Sequence, residues 1–215
     1  MQQPQQRIRE MMWAPHDQPG LEHLRLTWLE RGAESTANAD SAGAADDGGD
    51  VAVYANGLLL GLDGEQPYRV QYRIACDSRW RVRTAQITRL SGDQQTQTLG
   101  SDGEGRWYDN SGKPLPALDG CSDIDISATP FTNTLPIRRL ALQPGDSAEI
   151  TVVYVDIPAL EVATSRQRYA RLADSAAGAV YRFTALASGY TADLTVDSDG
   201  LVLEYPGLFH HVWTA

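Results

Sequence analysis

The stretch YRVQYRIACDSRWRVRT, residues 68–84, decides how the rest of the chain is read. Tyr68, Val70, Tyr72 and Ile74 alternate with Arg69, Gln71 and Arg73. Beyond a turn at Cys76-Asp77-Ser78, Trp80, Val82 and Thr84 alternate with Arg79, Arg81 and Arg83. A period of two on both arms predicts an antiparallel hairpin with one aromatic-aliphatic face and one arginine face. Ile87 and Leu90 prolong the second arm. Turn clusters then recur at Ser91-Gly92-Asp93, 100–105 and 110–114, the punctuation of an all-β meander. Upstream, Leu24, Leu26 and Trp28 share one face of a strand over residues 21–29, and 51–62 is a second apolar run. Downstream, 150–155 is β-branched, and Asp197-Ser198-Asp199-Gly200 joins two further strands. Two segments carry helical signals. Residues 165–174 place Tyr169 and Leu172 at helical spacing; residues 134–140 offer Thr134 as a cap and Pro136 in the first turn. The expectation is a mainly β, single-domain protein with one or two short helices.

The boundaries follow from composition. Residues 1–11 are Gln-rich and read as a flexible N-terminal segment, leaving 12–215 as the domain. Within it, RGAESTANADSAGAADDGGD (31–50) holds nothing apolar larger than Ala, which predicts a mobile loop. The net charge is −10, and only one of the 18 basic residues, Lys113, is not arginine. Such an acidic chain is a poor general binder of nucleic acid. No run approaches the roughly 18 apolar residues of a membrane span. No apolar region follows the charges near Met1, so a cytoplasmic setting with reduced Cys76 and Cys121 is expected.

Chemical motifs are sparse. His210 and His211 are adjacent, so on a strand they point to opposite faces and cannot chelate one ion. Asp197-Ser198-Asp199-Gly200 lacks the later glutamate of a calcium loop and reads as a hairpin turn. No G-x-S-x-G elbow occurs. Neither metal, cofactor nor catalytic constellation is expected. Asp123 and Asp125 are more informative: they share a strand face opposite Ile124 and Ile126. They could form a charge-paired ladder with Arg69, Arg73, Arg81 and Arg83, lie on an exposed face, or act as a hydrolytic carboxylate pair. In the ladder, four arginines against two aspartates leave 4 − 2 = 2 charges for an anionic head group.

The string DIDISATPFTNTLPIRRL, residues 123–140, resembles the signature of a bacterial glycolipid-binding family once known only as a domain of unknown function. The resemblance continues through YRVQY (68–72), DSRW (77–80), Gly120-Cys121, QRY (167–169), VDSDGLV (196–202) and YPGL (205–208), covering roughly residues 12–213. It implies an antiparallel sheet coiled as a spiral β-roll around one α-helix, and a homodimer. With one helix to choose, 134–140 is favoured as the enclosed element because Leu135, Ile137 and Leu140 need burial. The rival, 165–172, carries Arg166, Arg168 and Arg171 and suits a surface helix. Thr132, Asn133, Thr134, Arg138 and Arg139 are then structural residues of the signature. The function implied is non-catalytic binding of a glycolipid or other amphipathic molecule. Trp80, Tyr72 and Trp107 would rim an apolar groove, with Arg69, Arg73, Arg81 and Arg83 holding the head group. The alternatives are a homodimeric interaction module without a small ligand, and a carboxylate-based hydrolase.

Overall fold

A computed structural model describes residues 6–29 and 51–215, so the loop expected at 31–50 lies outside the described residues. The chain forms strands β1 (Gln6–Pro15), β2 (Leu21–Leu29), β3 (Val51–Asp63), β4 (Gln66–Asp77), β5 (Val82–Arg89), β6 (Gln95–Ser101), β7 (Trp107–Tyr108) and β8 (Asp123–Ile126). Helix α1 (Thr134–Leu140) follows, then β9 (Ser147–Val155), β10 (Val162–Arg171), β11 (Ala179–Ala185), β12 (Thr191–Val196), β13 (Val202–Tyr205) and β14 (Phe209–Thr214). All strands belong to one 14-stranded sheet in the order β7-β6-β5-β4-β3-β2-β1-β14-β13-β12-β11-β10-β9-β8. Pairing is antiparallel except between β8 and β9.

This order forces the sheet to coil. Its two edges, β7 and β8, are consecutive in sequence, whereas the first and last strands pair at its centre. In a flat sheet of 14 strands, the edges would stand thirteen gaps of about 4.8 Å apart, or about 62 Å. The fifteen steps from Tyr108 to Asp123 span at most about 54 Å even fully stretched, and a 3₁₀ turn at Pro116–Leu118 shortens them. The edges therefore curl towards each other, and β8 comes to rest against β5. The result is an open roll rather than a closed barrel.

The axis of the roll is filled by β8, a 3₁₀ turn at Phe131–Asn133 and α1. Seven residues are too few for a helix to stand on propensity alone; burial of Phe131, Leu135 and Ile137 holds it. Phe131 and Leu135 pack in the apolar cluster of β1–β6, and Ile137 in that of β10–β13, so the plug joins both wings of the sheet.

Three expectations are corrected. Residues 6–11, read as flexible, form the first part of β1 and pair with β2. Residues 165–172 are not a helix; 165–171 are part of β10 and Leu172 follows it. Gln167, Tyr169 and Arg171 are buried while Arg166 and Arg168 face outwards, so the true period is two. Tyr169 and Leu172 matched helical spacing by coincidence. In the hairpin, Trp80 takes a left-handed φ of 62° and the ladder slips between Ala75 and Cys76. That bulge changes the phase of the second arm, so Ala85 rather than Thr84 joins Val82 in the core.

Candidate binding cleft

Alternation along β2 places Glu22 on the same face as Leu24 and Leu26, and like them it points inwards; it is 3% exposed. Its Oε1 accepts hydrogen bonds from Tyr72 Oη (2.5 Å) and Thr129 Oγ1 (2.7 Å). Its Oε2 is buried with no partner among the described residues. Tyr72 lies two strands away and reaches Glu22 because β3 has Gly57 directly opposite it; a Cβ there would sit 2.1 Å from the ring. Gly61 makes the same room for Tyr68.

No cation contacts Glu22 among the described residues. Burial pushes its carboxyl up to about 8, against the smaller downward pull of the Tyr72 and Thr129 hydroxyls. At neutral pH the group is mainly uncharged. With Oε1 occupied by two donors, the proton belongs on Oε2, an O–H donor whose hydrogen bond is unspent.

Glu22 lies in the wall of a cleft of about 310 Å³ at the end of the roll where β1 turns into β2 and β3 into β4. Leu60 and Ile157 supply accessible apolar walls above the buried Trp13 and Leu59, Tyr68 and Ser127 add hydroxyls, and Asp17 and Asp63 complete the polar side. Leu208, 41% exposed, also borders it. An apolar surface with a few converging polar groups suits a ligand that is part hydrocarbon and part hydroxyl-bearing.

Comparison with known proteins places this architecture. The family described as "Putative glycolipid-binding" matches residues 45–211. The chain belongs to that family. A solved structure described as a DUF1089 family protein from Pseudomonas aeruginosa is 38% identical, over 85% of this chain and 100% of that one, with a TM-score of 0.69. No curated protein matches the chain.

In this glycolipid-binding family member, the residues expected to line a groove are dispersed. Tyr72, Trp80 and Trp107 are all core residues rather than a rim, and of them only Tyr72 takes part in the Glu22 arrangement. Arg69 and Arg73 are exposed on the outer face of β4. Arg81 and Arg83 sit at the opposite end of the roll from Glu22. There Arg81 pairs with Asp77 and Glu104, and Arg83 Nη1 donates to the carbonyl of Asp102 (2.5 Å).

The ladder between these arginines and the β8 aspartates does not form. β8 pairs with β9, away from β4 in sheet order, and the guanidinium that reaches it comes from α1. Arg139 holds Asp123 with Nε at 3.0 Å and Nη2 at 2.6 Å. Asp125 instead accepts from Gln167 Nε2 (2.7 Å) and Thr132 Oγ1 (3.1 Å). The rest of the signature ties the plug in place. Asn133 donates to the Pro130 carbonyl and accepts from Tyr169 Oη, and Arg138 stacks over Trp80. Thr134 is not a side-chain cap; its Oγ1 donates to the carbonyl of Gly200 (2.9 Å).

Cys76 and Cys121 are free and buried. Burial pushes the Cys121 thiol up to about 11 and Cys76 further, so neither is a thiolate at neutral pH.

Glu22 was missed in the sequence although a signal for it exists. It shares the parity of Leu24 and Leu26, and a carboxylate on the apolar face of a strand is an anomaly needing an explanation.

Proposed function

We propose that the protein binds an amphipathic ligand, a glycolipid or similar hydroxyl-bearing lipid, in the Glu22 cleft. The observation that carries this reading is the buried, uncharged carboxyl with one unspent hydrogen-bonding position beside apolar walls. A hydroxyl or acetal oxygen of a sugar that reaches the buried Oε2 can accept from its proton, and the adjoining hydrocarbon covers Leu60, Ile157 and Leu208. The family's description as binding rather than catalytic agrees with this.

The test is a titration of the isotope-labelled protein with octyl glucoside below its micelle threshold. Saturable NMR shifts confined to cleft residues are expected. Glu22→Gln keeps both a donor and an acceptor and should bind within a few-fold of the parent. Glu22→Leu, if folded, should weaken binding roughly tenfold, the worth of one good hydrogen bond. Shifts spread evenly over the surface, or none, would refute the cleft as the site.

A second reading, a self-associating interaction module, draws on one observation. Leu58, Leu60, Val212 and Trp213 are exposed together on the outer face, around a groove that shares Leu21 and Leu60 with the cleft. Light scattering across a concentration series tests it: a dimer dispersed by Trp213→Ser supports this face as its interface.

A further inference from the structure

We propose that a recess formed by Arg79, Arg81 and Arg139, at the end of the roll opposite Glu22, binds the oxyanion of a phosphoryl group. The inference is independent of the cleft reading, since the two places share no residue.

The recess measures about 380 Å³. Its walls come from the turn between β4 and β5, the turn between β6 and β7, the approach to β8, and Arg139 of α1. Two of its guanidinium groups are fixed by carboxylates buried beneath them. Arg81 Nε donates to Asp77 Oδ2 at 2.7 Å, where the Asp77 side chain is 6% exposed. Arg139 is held through Nε and Nη2 by Asp123, whose side chain is fully covered, and Nη2 also reaches Ser122 Oγ at 3.0 Å.

This anchoring uses one edge of each group. Arg81 Nη2 and Arg139 Nη1 have no acceptor among the described residues. The Arg79 guanidinium has neither acceptor nor carboxylate partner there. Donors that are oriented beforehand and left unspent are what a tetrahedral oxyanion needs, because the ordering of the side chains has already been met in the fold.

Apart from Glu104, the opposite wall is built of glycine. Gly103, Gly105 and Gly120 line it with φ of 78°, 95° and 87°, conformations that other residues rarely adopt. Gly120 N–H donates to the Gly105 carbonyl at 2.8 Å, and a Cβ on Gly105 would meet the Gly120 backbone at 3.4 Å, an ordinary van der Waals contact. The wall is thus two backbones in contact, with Glu104 as its side chain facing Arg81.

Asp77 and Asp123 neutralise as well as orient, so attraction rests on charge-assisted hydrogen bonds to the open edges and on Arg79. Glu104 is the competitor. It pairs with Arg81 from the rim, and with a side chain 73% exposed it can swing away.

The experiment is an NMR titration of the whole protein with inorganic phosphate at fixed ionic strength. Saturable shifts of the Gly103, Gly105 and Gly120 amides and of the arginine Nε–H signals are expected. Arg79→Ala touches no buried partner, so the fold survives, and it should weaken binding roughly tenfold, the loss of one charge-assisted contact. Glu104→Gln should tighten binding several-fold. A parallel titration with dihexanoyl phosphatidylglycerol distinguishes the sources. A response to both means that the phosphoryl group alone is read, and a response to the lipid only means that it is read within a head group. Silence with both, or shifts unchanged by Arg79→Ala and Glu104→Gln, overturns the proposal.

Discussion

Glu22 and Asp123 are both almost wholly buried, 3% and 0% exposed, yet they keep opposite company at the two ends of the roll. Glu22 meets two hydroxyls and no cation, so desolvation dominates and its carboxyl holds a proton up to about pH 8. Asp123 lies against the Arg139 guanidinium. Asp77, at the same end, is pulled upwards by burial but more strongly downwards by the Arg81 and Arg79 backbone N–H groups and the Arg81 side chain, and ends below the usual carboxylate range. Asp199 follows suit beneath Arg7 and Arg9. Burial alone therefore does not set the charge of a group; the partner does. One end of the roll stores a neutral acid, and the other stores ion pairs with edges open to solvent.

The largest test of this contrast is Arg139→Ala. It leaves Asp123 buried without its counter-charge, which should remove about 3–5 kcal/mol of stability and lower the thermal midpoint by about 10 °C. Calorimetry measures this, and Arg139→Ala/Asp123→Asn should recover much of the loss. A fall of only a degree or two would mean that water screens the pair.

Glu22→Gln should act in the opposite direction. The folded protein keeps the Glu22 proton up to about pH 8, whereas the unfolded chain releases it near 4.5, the ordinary value of a glutamate. The folded state thus binds more protons across that window, so wild-type stability falls as pH rises through it and levels off above. The amide carries no such penalty. At pH 9 the variant should be more stable by about 2–4 kcal/mol, the bulk of the proton-linked term, with little difference at pH 4. Urea melts at the two pH values decide it, and equal gains at both would sink the neutral-acid assignment.

Gly57→Ala sharpens the same end. The new methyl collides with the Tyr72 ring and should drive it off Glu22, destabilising by about 1–3 kcal/mol, as overpacking usually does. The step in the pH–stability profile should move with it. The smallest effect belongs to the plug between the two ends. Thr134→Ala deletes the hydrogen bond to Gly200 and should lose about 1 kcal/mol, read as a small shift in the urea midpoint.

Much of the fold is visible in local pattern. The alternation over 68–74 marks β4, and Thr134–Leu140 is helical where Pro136 and its apolar spacing indicate. Local pattern failed where two periods overlap. In β10, Tyr169 and Leu172 fit a helix while Gln167, Tyr169 and Arg171 fit a strand, and the neighbours β9 and β11 settled the choice. The arginine face failed for another reason. A single bulge at Ala75/Cys76 resets the phase, and nothing in the residue types there announces it. The plug's own hydroxyls were also misjudged. Thr134 suits a cap by type, but its donor was taken by a carbonyl 66 residues away.

What the sequence alone determines about this protein is periodicity: which residues alternate, where turns fall, and that Glu22 shares a face with leucines. These follow from neighbours in the chain, whose geometry the backbone dictates. Tertiary structure decided which charges meet. Asp123 found Arg139 rather than the hairpin, and Tyr72 reached Glu22 across Gly57. Whether a buried carboxyl keeps its proton depends on the few ångströms around it, and those are filled by residues from distant strands that only the coiling of the sheet brings together.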